Sequence, residues 1–322
     1  MMDMIIKTFR FVWSQKFRIL FTVVFALVFL FILFPFKDLN DFVSGQVSNL
    51  TQNSVYLQFE DMHMNPLTTS ISLDGVLVET STIDGLNINS ISASPSIAAL
   101  FKRQPGGKIV AEGFFGGHAE VKLTPLATLE SGALKANLDV TTENISLKSL
   151  RDTLKIQIPL SGAMNINASV TADMSFKEQP DGDVAIVIDN FEMPGTSINS
   201  PNFGSIALPE IKFKQIDVKG KLAGGKLVIE NAKLGNPADD LSGTLKGDIA
   251  ISIQNIGGTA RPILGGYNFN IDLIAKPAFV QRAQFFLSFI DQYKKEEKGS
   301  SRYRLKLQAA STELPPSILP LN

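Results

Sequence analysis

The side chains that could do chemistry are few and scattered. His63 stands between Met62 and Met64, and His118 follows Gly116-Gly117; neither has a carboxylate or a second histidine at ligand spacing, so both read as surface or loop residues. The acid pairs are Glu60-Asp61, Asp239-Asp240 and Glu296-Glu297. Acid–base work needs a second group placed to hold or return the proton, and no His, Lys or Arg stands beside these pairs as a dyad. Asp239-Asp240 sits in GNPADDLSG, which is turn composition and lacks the D-x-D-x-D-G order of a calcium loop. Serine is abundant but never stands in G-x-S-x-G, and no glycine pair leads into the G-K-[ST] of a phosphate loop. Cysteine is absent, which removes thiol nucleophiles, thiolate metal sites and disulfides together. These residues predict no catalytic team, no metal and no cofactor.

The charge balance narrows the partners. Thirty basic residues against thirty-one acidic ones give a net charge of -1, so no basic field invites nucleic acid. A chain of 322 residues without a disulfide must be held by burial and backbone pairing, which suits a bacterial envelope protein better than a small secreted domain.

What the sequence does organise is its apolar residues. Ile19 to Phe36, ILFTVVFALVFLFILFPF, is uncharged, with Thr22 its only hydroxyl. As a helix it would cover roughly 27 Å, near the ~30 Å of a bilayer core, with Ile19, Phe21, Val24, Leu27, Leu30 and Phe34 meeting lipid. Lys7, Arg10, Lys16 and Arg18 precede it against Asp3 alone, while Lys37 and Asp38 cancel. The positive-inside rule then keeps residues 1–18 in the cytoplasm and translocates the rest. FPFKDLN offers no A-x-A cleavage site, so the segment reads as a permanent anchor.

A short amphipathic helix over residues 37–50 follows, with Leu39, Phe42, Val43, Val47 and Leu50 at helical spacing. It reads either as a continuation of the membrane helix or as a plug for one end of a sheet. From Val55 the apolar period changes to two. Leu134, Ala136, Leu138 and Val140 oppose Lys135, Asn137, Asp139 and Thr141; Met164, Ile166, Ala168 and Val170 oppose Asn165, Asn167, Ser169 and Thr171. Such alternation means strands with one apolar and one polar face. Asp74-Gly75, Asp84-Gly85, Gly116-Gly117, Gly224-Gly225, Gly257-Gly258 and Gly265-Gly266 punctuate the runs as turns, predicting an antiparallel meander of a dozen or so strands. Two helices interrupt it. One spans Ser94 to Lys102, with Ser94 as cap and Pro95 first in the helix; the other spans Pro277 to Lys298, its stripe Phe279, Ala283, Phe286, Leu287 and Ile290 ending in the solvated run Lys294–Lys298. Residues 51–312 thus form a β-rich domain, and the proline-rich residues 313–322 read as a loose tail.

A sheet with one apolar face must hide it under a second sheet, under helices, or against an apolar ligand. The predicted helices are too few, which leaves a sandwich or a groove filled by acyl chains. The candidate groove residues are Ile249, Ile251, Ile253, Phe269, Ile271 and Leu273. They serve equally well as ordinary core. An unpaired edge strand that accepts a partner's strand is a third use of such a sheet.

Four stretches carry a resemblance to a known group. They are the leading anchor with its short helix; Ser70–Thr80, SISLDGVLVET, running into Ile83–Leu123; Ile211–Ser252, where Gly220, Gly224-Gly225, Gly243 and Gly247 punctuate strands; and Asn268–Phe279, NFNIDLIAKPAF. In this order the chain resembles the AsmA-like envelope proteins, and most closely the long form of the type II secretion system protein N (GspN) family. The resemblance implies a single-pass protein of the bacterial inner membrane with a periplasmic, mainly β domain, working without catalysis beside other components of a protein-secretion machine. For the AsmA-like relatives it implies an extended, bent antiparallel sheet forming a groove suited to phospholipid or another acyl-chain ligand. It brings no catalytic residue across.

Overall fold

The structure is a computed structural model that describes residues 15–33, 39–65, 68–80, 83, 85–129, 132–200, 204–256, 259–297, 299–312 and 314–321. Lys7, Arg10, Phe34, Lys37, Asp84, Gly257-Gly258 and Lys298 lie outside these residues.

Helix α1, Lys16–Leu33, carries most of the uncharged segment. Ile19, Leu20, Phe21, Val23 and Val24 are all exposed, so the described part of the helix leaves no side packed; Leu27 and Leu30 belong to its second half. The rings of Phe21, Phe25 and Phe29 follow one another at centroid distances of 5.5 and 5.4 Å. From Ile19 to Leu33 the helix rises only about 22 Å. Among the described residues no helix is long and apolar enough to cross a membrane. Helix α2, Asn40–Leu50, starts three residues later than the pattern suggests. It acts as a plug: Leu39, Val43 and Val47 pack on the first strands, and Asn40 Nδ2 donates to the Phe59 carbonyl at 2.8 Å.

The rest of the described chain is dominated by one antiparallel sheet. Its strands are β1 Val55–Gln58, β2 Asp61–Asn65, β3 Ser70–Thr80, β4 Leu86–Pro95, β5 Gly107–Phe114, β6 Gly117–Thr128, β7 Leu134–Ser146, β8 Ser161–Asp173 and β9 Asp181–Met193. After a separate hairpin of β10 Thr196–Ser200 and β11 Gly204–Leu208 come β12 Ile211–Ala223, β13 Lys226–Leu234, β14 Leu241–Ile256, β15 Thr259–Ala275, β16 Lys294–Glu297, β17 Ser300–Ala309 and β18 Ser317–Pro320. Fourteen of these lie side by side almost in chain order, while β2 shares the flank of β3 with β1, and β18 shares the flank of β17 with β16. At about 4.8 Å per strand this makes a ribbon ~62 Å long.

Antiparallel neighbours send their connections alternately to two long margins. One margin has tight links, among them Gly224-Gly225 between β12 and β13, and the short helix α3, Ile97–Phe101, between β4 and β5. The other carries α4 Leu147–Thr153, the β10–β11 hairpin, and α5 Pro277–Arg282 with α6 Gln284–Ser288. Both buried clusters lie along that second margin. One gathers Leu57, Val76, Ile88, Phe115 and Ile145 under α2 and Leu150 of α4; the other gathers Phe213, Ile216, Leu241, Tyr303 and Leu305 under Phe279, Ala283 and Leu287.

Several expectations need correction. Asp74-Gly75 and Gly265-Gly266 are not turns, because β3 and β15 run through them. Gly75, at φ +60, bends β3 so that Val76 and Leu73 both serve the apolar side, and a Cβ there would lie 2.6 Å from the Glu60 side chain that crosses it. Ser94 and Pro95 end strand β4, and it is Ser96 whose hydroxyl accepts from Ala99 N at 3.3 Å to cap α3. The segment 277–298 is not one helix. It breaks at Ala283, turns through a 3-10 stretch at Asp291–Tyr293, and Lys294–Glu297 pairs as an edge strand with Ser300–Tyr303. The tail is not loose at Ser317–Pro320, which pairs with Leu305–Gln308.

Candidate functional site

Directly opposed residues of an antiparallel pair point to the same face, so the pairings define what that face is made of. One row begins Leu73, Ile91, Ala111, Ala119, Thr142 and Ile166 on successive strands β3 to β8. It continues Ile186, Val218, Ala232, Leu245, Ile271 and Leu305 on β9, β12, β13, β14, β15 and β17. Eleven of these twelve residues are apolar. A parallel row through Ile109, Val121, Val140, Ala168, Val184 and Ile229 lies beside it. The apolar face is therefore continuous from one end of the ribbon to the other.

The six candidate groove residues belong to this face or its extension. Leu273 sits opposite Gly243, Ile271 opposite Leu245 and Phe269 opposite Gly247, while Ile249, Ile251 and Ile253 face Tyr267, Leu264 and Pro262 past a bulge at Gly265-Gly266. None of the six is buried; each is half-buried, and Leu264 is exposed. Tyr267 stacks on Phe269 at 5.3 Å. Ile271 and Leu273 adjoin the packed cluster, so the structure divides the six: the β15 end is edged by core, and the β14 end lies toward the tight-turn margin. Among the described residues the only other sheet is the two-stranded β10–β11 hairpin, which leaves a sandwich without its second layer.

Where the face meets α5 and α6 it deepens into a cavity of about 250 Å³ lined by apolar groups, including Met193, Leu208, Leu273, Phe279 and Phe286. Tyr303 forms part of its floor. This residue is fully buried, its hydroxyl has no hydrogen-bond partner among the described residues, and burial pushes its pKa up. The pattern of alternating residues did not single out this pocket, because helix fragments rather than strands complete it.

The opposite face is polar and internally paired. Lys108 meets Glu120 at 2.8 Å, Lys226 meets Asp248 at 3.4 Å, and Arg302 grips Asp272 in a fork at 2.8 and 2.7 Å. Arg302's pKa is raised, first by Asp272 and then by Glu297. A shallow depression of about 540 Å³ near Asp139, Asp183, Lys219 and Glu230 lies among these rows, where Ser169 Oγ donates to Asp139 at 2.6 Å.

The histidines are less isolated than their spacing suggests. Strand pairing sets His63 Nε2 3.3 Å from Asp74 and 3.9 Å from Asp61, and the β5–β6 turn sets His118 Nδ1 2.8 Å from Glu112. The side chains of His63, Asp74 and Glu112 are exposed and that of His118 is half-buried, and among the described residues no group of three or more His, Cys, Asp or Glu could hold a metal ion. Asp239 ties its own turn together by accepting from Asn236 N and Lys214 N, and Asp240 pairs with Arg282 at 2.9 Å. Glu296 pairs with Lys294 on the edge strand.

Compared with protein-family models, curated proteins and solved structures, the chain matches none.

Proposed function

We propose that the protein is a membrane-anchored, non-enzymatic carrier of acyl chains, whose continuous apolar sheet face is the groove. The observation that carries this reading is the row from Leu73 to Leu305, apolar but for Thr142 and packed at its two ends into the buried clusters, together with the more open row beside it from Ile109 to Ile229. Among the described residues no second sheet covers either. Each methylene that leaves water for such a face contributes about 0.8 kcal/mol, so one acyl chain supplies several kcal/mol without any polar contact. Helix α1 with the adjoining residues to Phe36 would hold the chain in the bacterial inner membrane, its lysines and arginines on the cytoplasmic side and the sheet in the periplasm. The exposure of α1 on every described side supports an apolar surrounding.

The resemblance to secretion-system proteins offers a second use for the same sheet, as a docking element for other components of the type II machine. The two readings separate by what fills the face. Native mass spectrometry of the full chain extracted in mild detergent is expected to show bound phospholipid, and Ile249→Asp, in the middle of the open face, to lower its amount at least about threefold while circular dichroism stays β-rich. A wild-type protein that carries no lipid overturns the carrier reading and leaves the docking role.

A further inference from the structure

Helix α3 is built the wrong way round for a helix that merely closes a loop. Its small residue faces in and its large ones face out: Ala99 is 2% exposed, whereas Ile97, Leu100 and Phe101 are 57, 56 and 87% exposed. The arrangement is held firmly. Ser96 caps the helix, Ser96 N donates to Gly106 O and Gln104 N to Ala99 O, both at 2.9 Å. Gly106 lets Ala99 approach, since a Cβ there would stand 2.9 Å from both Ala99 Cβ and Pro125 Cδ. The outward side chains are thus presented by a braced turn. Immediately after them come Lys102 and Arg103, both exposed, neither of which makes an ion pair with a described residue.

We propose that α3 inserts into an anionic bilayer surface and seats the N-terminal end of the sheet on the membrane. Three outward apolar residues followed by two cations without an ion-pair partner among the described residues are the composition of an interfacial helix, with the rings and branched chains below the headgroups and the cations among the phosphates. The location fits, because α3 joins β4 to β5, close to the end of the ribbon where the chain emerges from α1 and α2. Phe42 and Leu50 of α2 are exposed at that end of the ribbon too, on the opposite margin from α3 and about one strand length from it. The inference rests on the membrane-anchored reading and adds a second, surface contact that would fix the tilt of the ribbon and bring the start of its apolar face to the lipid.

The absence of cysteine allows a direct test in the full chain. Phe101→Cys, Phe21→Cys and Lys221→Cys, each labelled with an environment-sensitive dye, are reconstituted into phosphatidylethanolamine–phosphatidylglycerol vesicles with brominated acyl chains. Phe101 and Lys221 are exposed, so the labels leave the packing alone. Quenching at position 101 is expected to be at least about threefold stronger than at the polar-face position 221. Adding Lys102→Gln and Arg103→Gln is expected to remove about half of it, as is replacing the anionic lipid with phosphatidylcholine. Quenching at 21 but not at 101 overturns the seating helix and leaves the anchor standing; quenching at neither overturns both. A dye at 101 that is shielded from water yet untouched by bromine assigns the patch to a protein or a second copy, and overturns the proposal as well.

Discussion

The two margins of the sheet are made by the same strands and end in opposite states. Along the margin of α4, α5 and α6 the apolar face disappears into two clusters where Ile145, Ala275 and Tyr303 are 2% exposed or less. Along the other margin the same face runs out to exposed Ile109 and Leu264, and only α3 is added there. The difference lies in the connections. The first margin receives the three longest links, after β7, β9 and β15, which fold back over the sheet as helices or a hairpin, whereas the second receives shorter ones, from the two-residue turn at Gly224-Gly225 to the β4–β5 link that holds α3. Apolar alternation is thus necessary for a core but does not make one; what crosses between strands decides which half becomes core and which stays available.

The largest expected contrast follows from that division. Ile145→Ala should open a cavity in the packed margin and cost 2 to 5 kcal/mol, roughly, because the cluster around it is closed by Phe115 and Leu150. Leu264→Ala on the open margin should change stability by less than about 0.5 kcal/mol. Urea titration of both variants checks this. Equal costs would mean that the open margin is packed in solution and that the division is wrong.

A second test sharpens how the open margin holds the link between β8 and β9. Asp173 ends β8 almost fully buried, and its carboxylate accepts from Ser175 Oγ at 2.7 Å, Ser175 N at 2.9 Å and Lys177 N at 3.1 Å. The Ser175 hydroxyl, first among these, holds its pKa below the usual carboxylate value. A depressed folded pKa means that the stabilisation is complete above the unfolded value of about 3.9 and is lost as pH falls through the folded one. Asp173→Ala should therefore be less stable than wild type at pH 7, with the gap closing at pH values well below 4. A gap that is independent of pH would show that the turn is held by packing and not by the carboxylate.

These two regions also mark how far the sequence can be read. Leu138, Val140, Ala168 and Val170 were visible as one apolar side by alternation alone, and the strands pair Leu138 with Val170 and Val140 with Ala168. The apolar stripe Phe279, Ala283 and Leu287 was visible too, and it does pack, although the helix that carries it breaks at Ala283. The charge run after it reads as a solvated helix end, yet charged residues suit an edge strand equally well, and β16 is one. Pro315-Pro316 excludes helix without excluding the edge strand β18 that follows. Helix α4 carries a signal of its own in the sequence, Ser146 as cap, accepting from Ser149 N, with Leu147, Leu150 and Leu154 at helical spacing. What no local pattern carries is which margin a given helix covers, since that depends on the order of strands across the whole sheet.

The smallest effect tests whether the packed margin is dry. Tyr303 is fully buried, its hydroxyl without a hydrogen-bond partner among the described residues, against an apolar cavity lined by Phe279, Ala283 and Leu287. A buried hydroxyl without a partner costs free energy that its removal returns, so Tyr303→Phe should be neutral or stabilising by up to about 1 kcal/mol. Tyr267→Phe, on the open face and half-exposed, should stay within about 0.5 kcal/mol of wild type in either direction. Thermal unfolding of the two variants, with bound lipid removed and then restored, separates the causes. Should Tyr303→Phe instead be destabilising only when lipid is present, the hydroxyl donates to a ligand oxygen, and the cavity under α5 and α6 holds a headgroup where the apolar lining alone predicts a chain end.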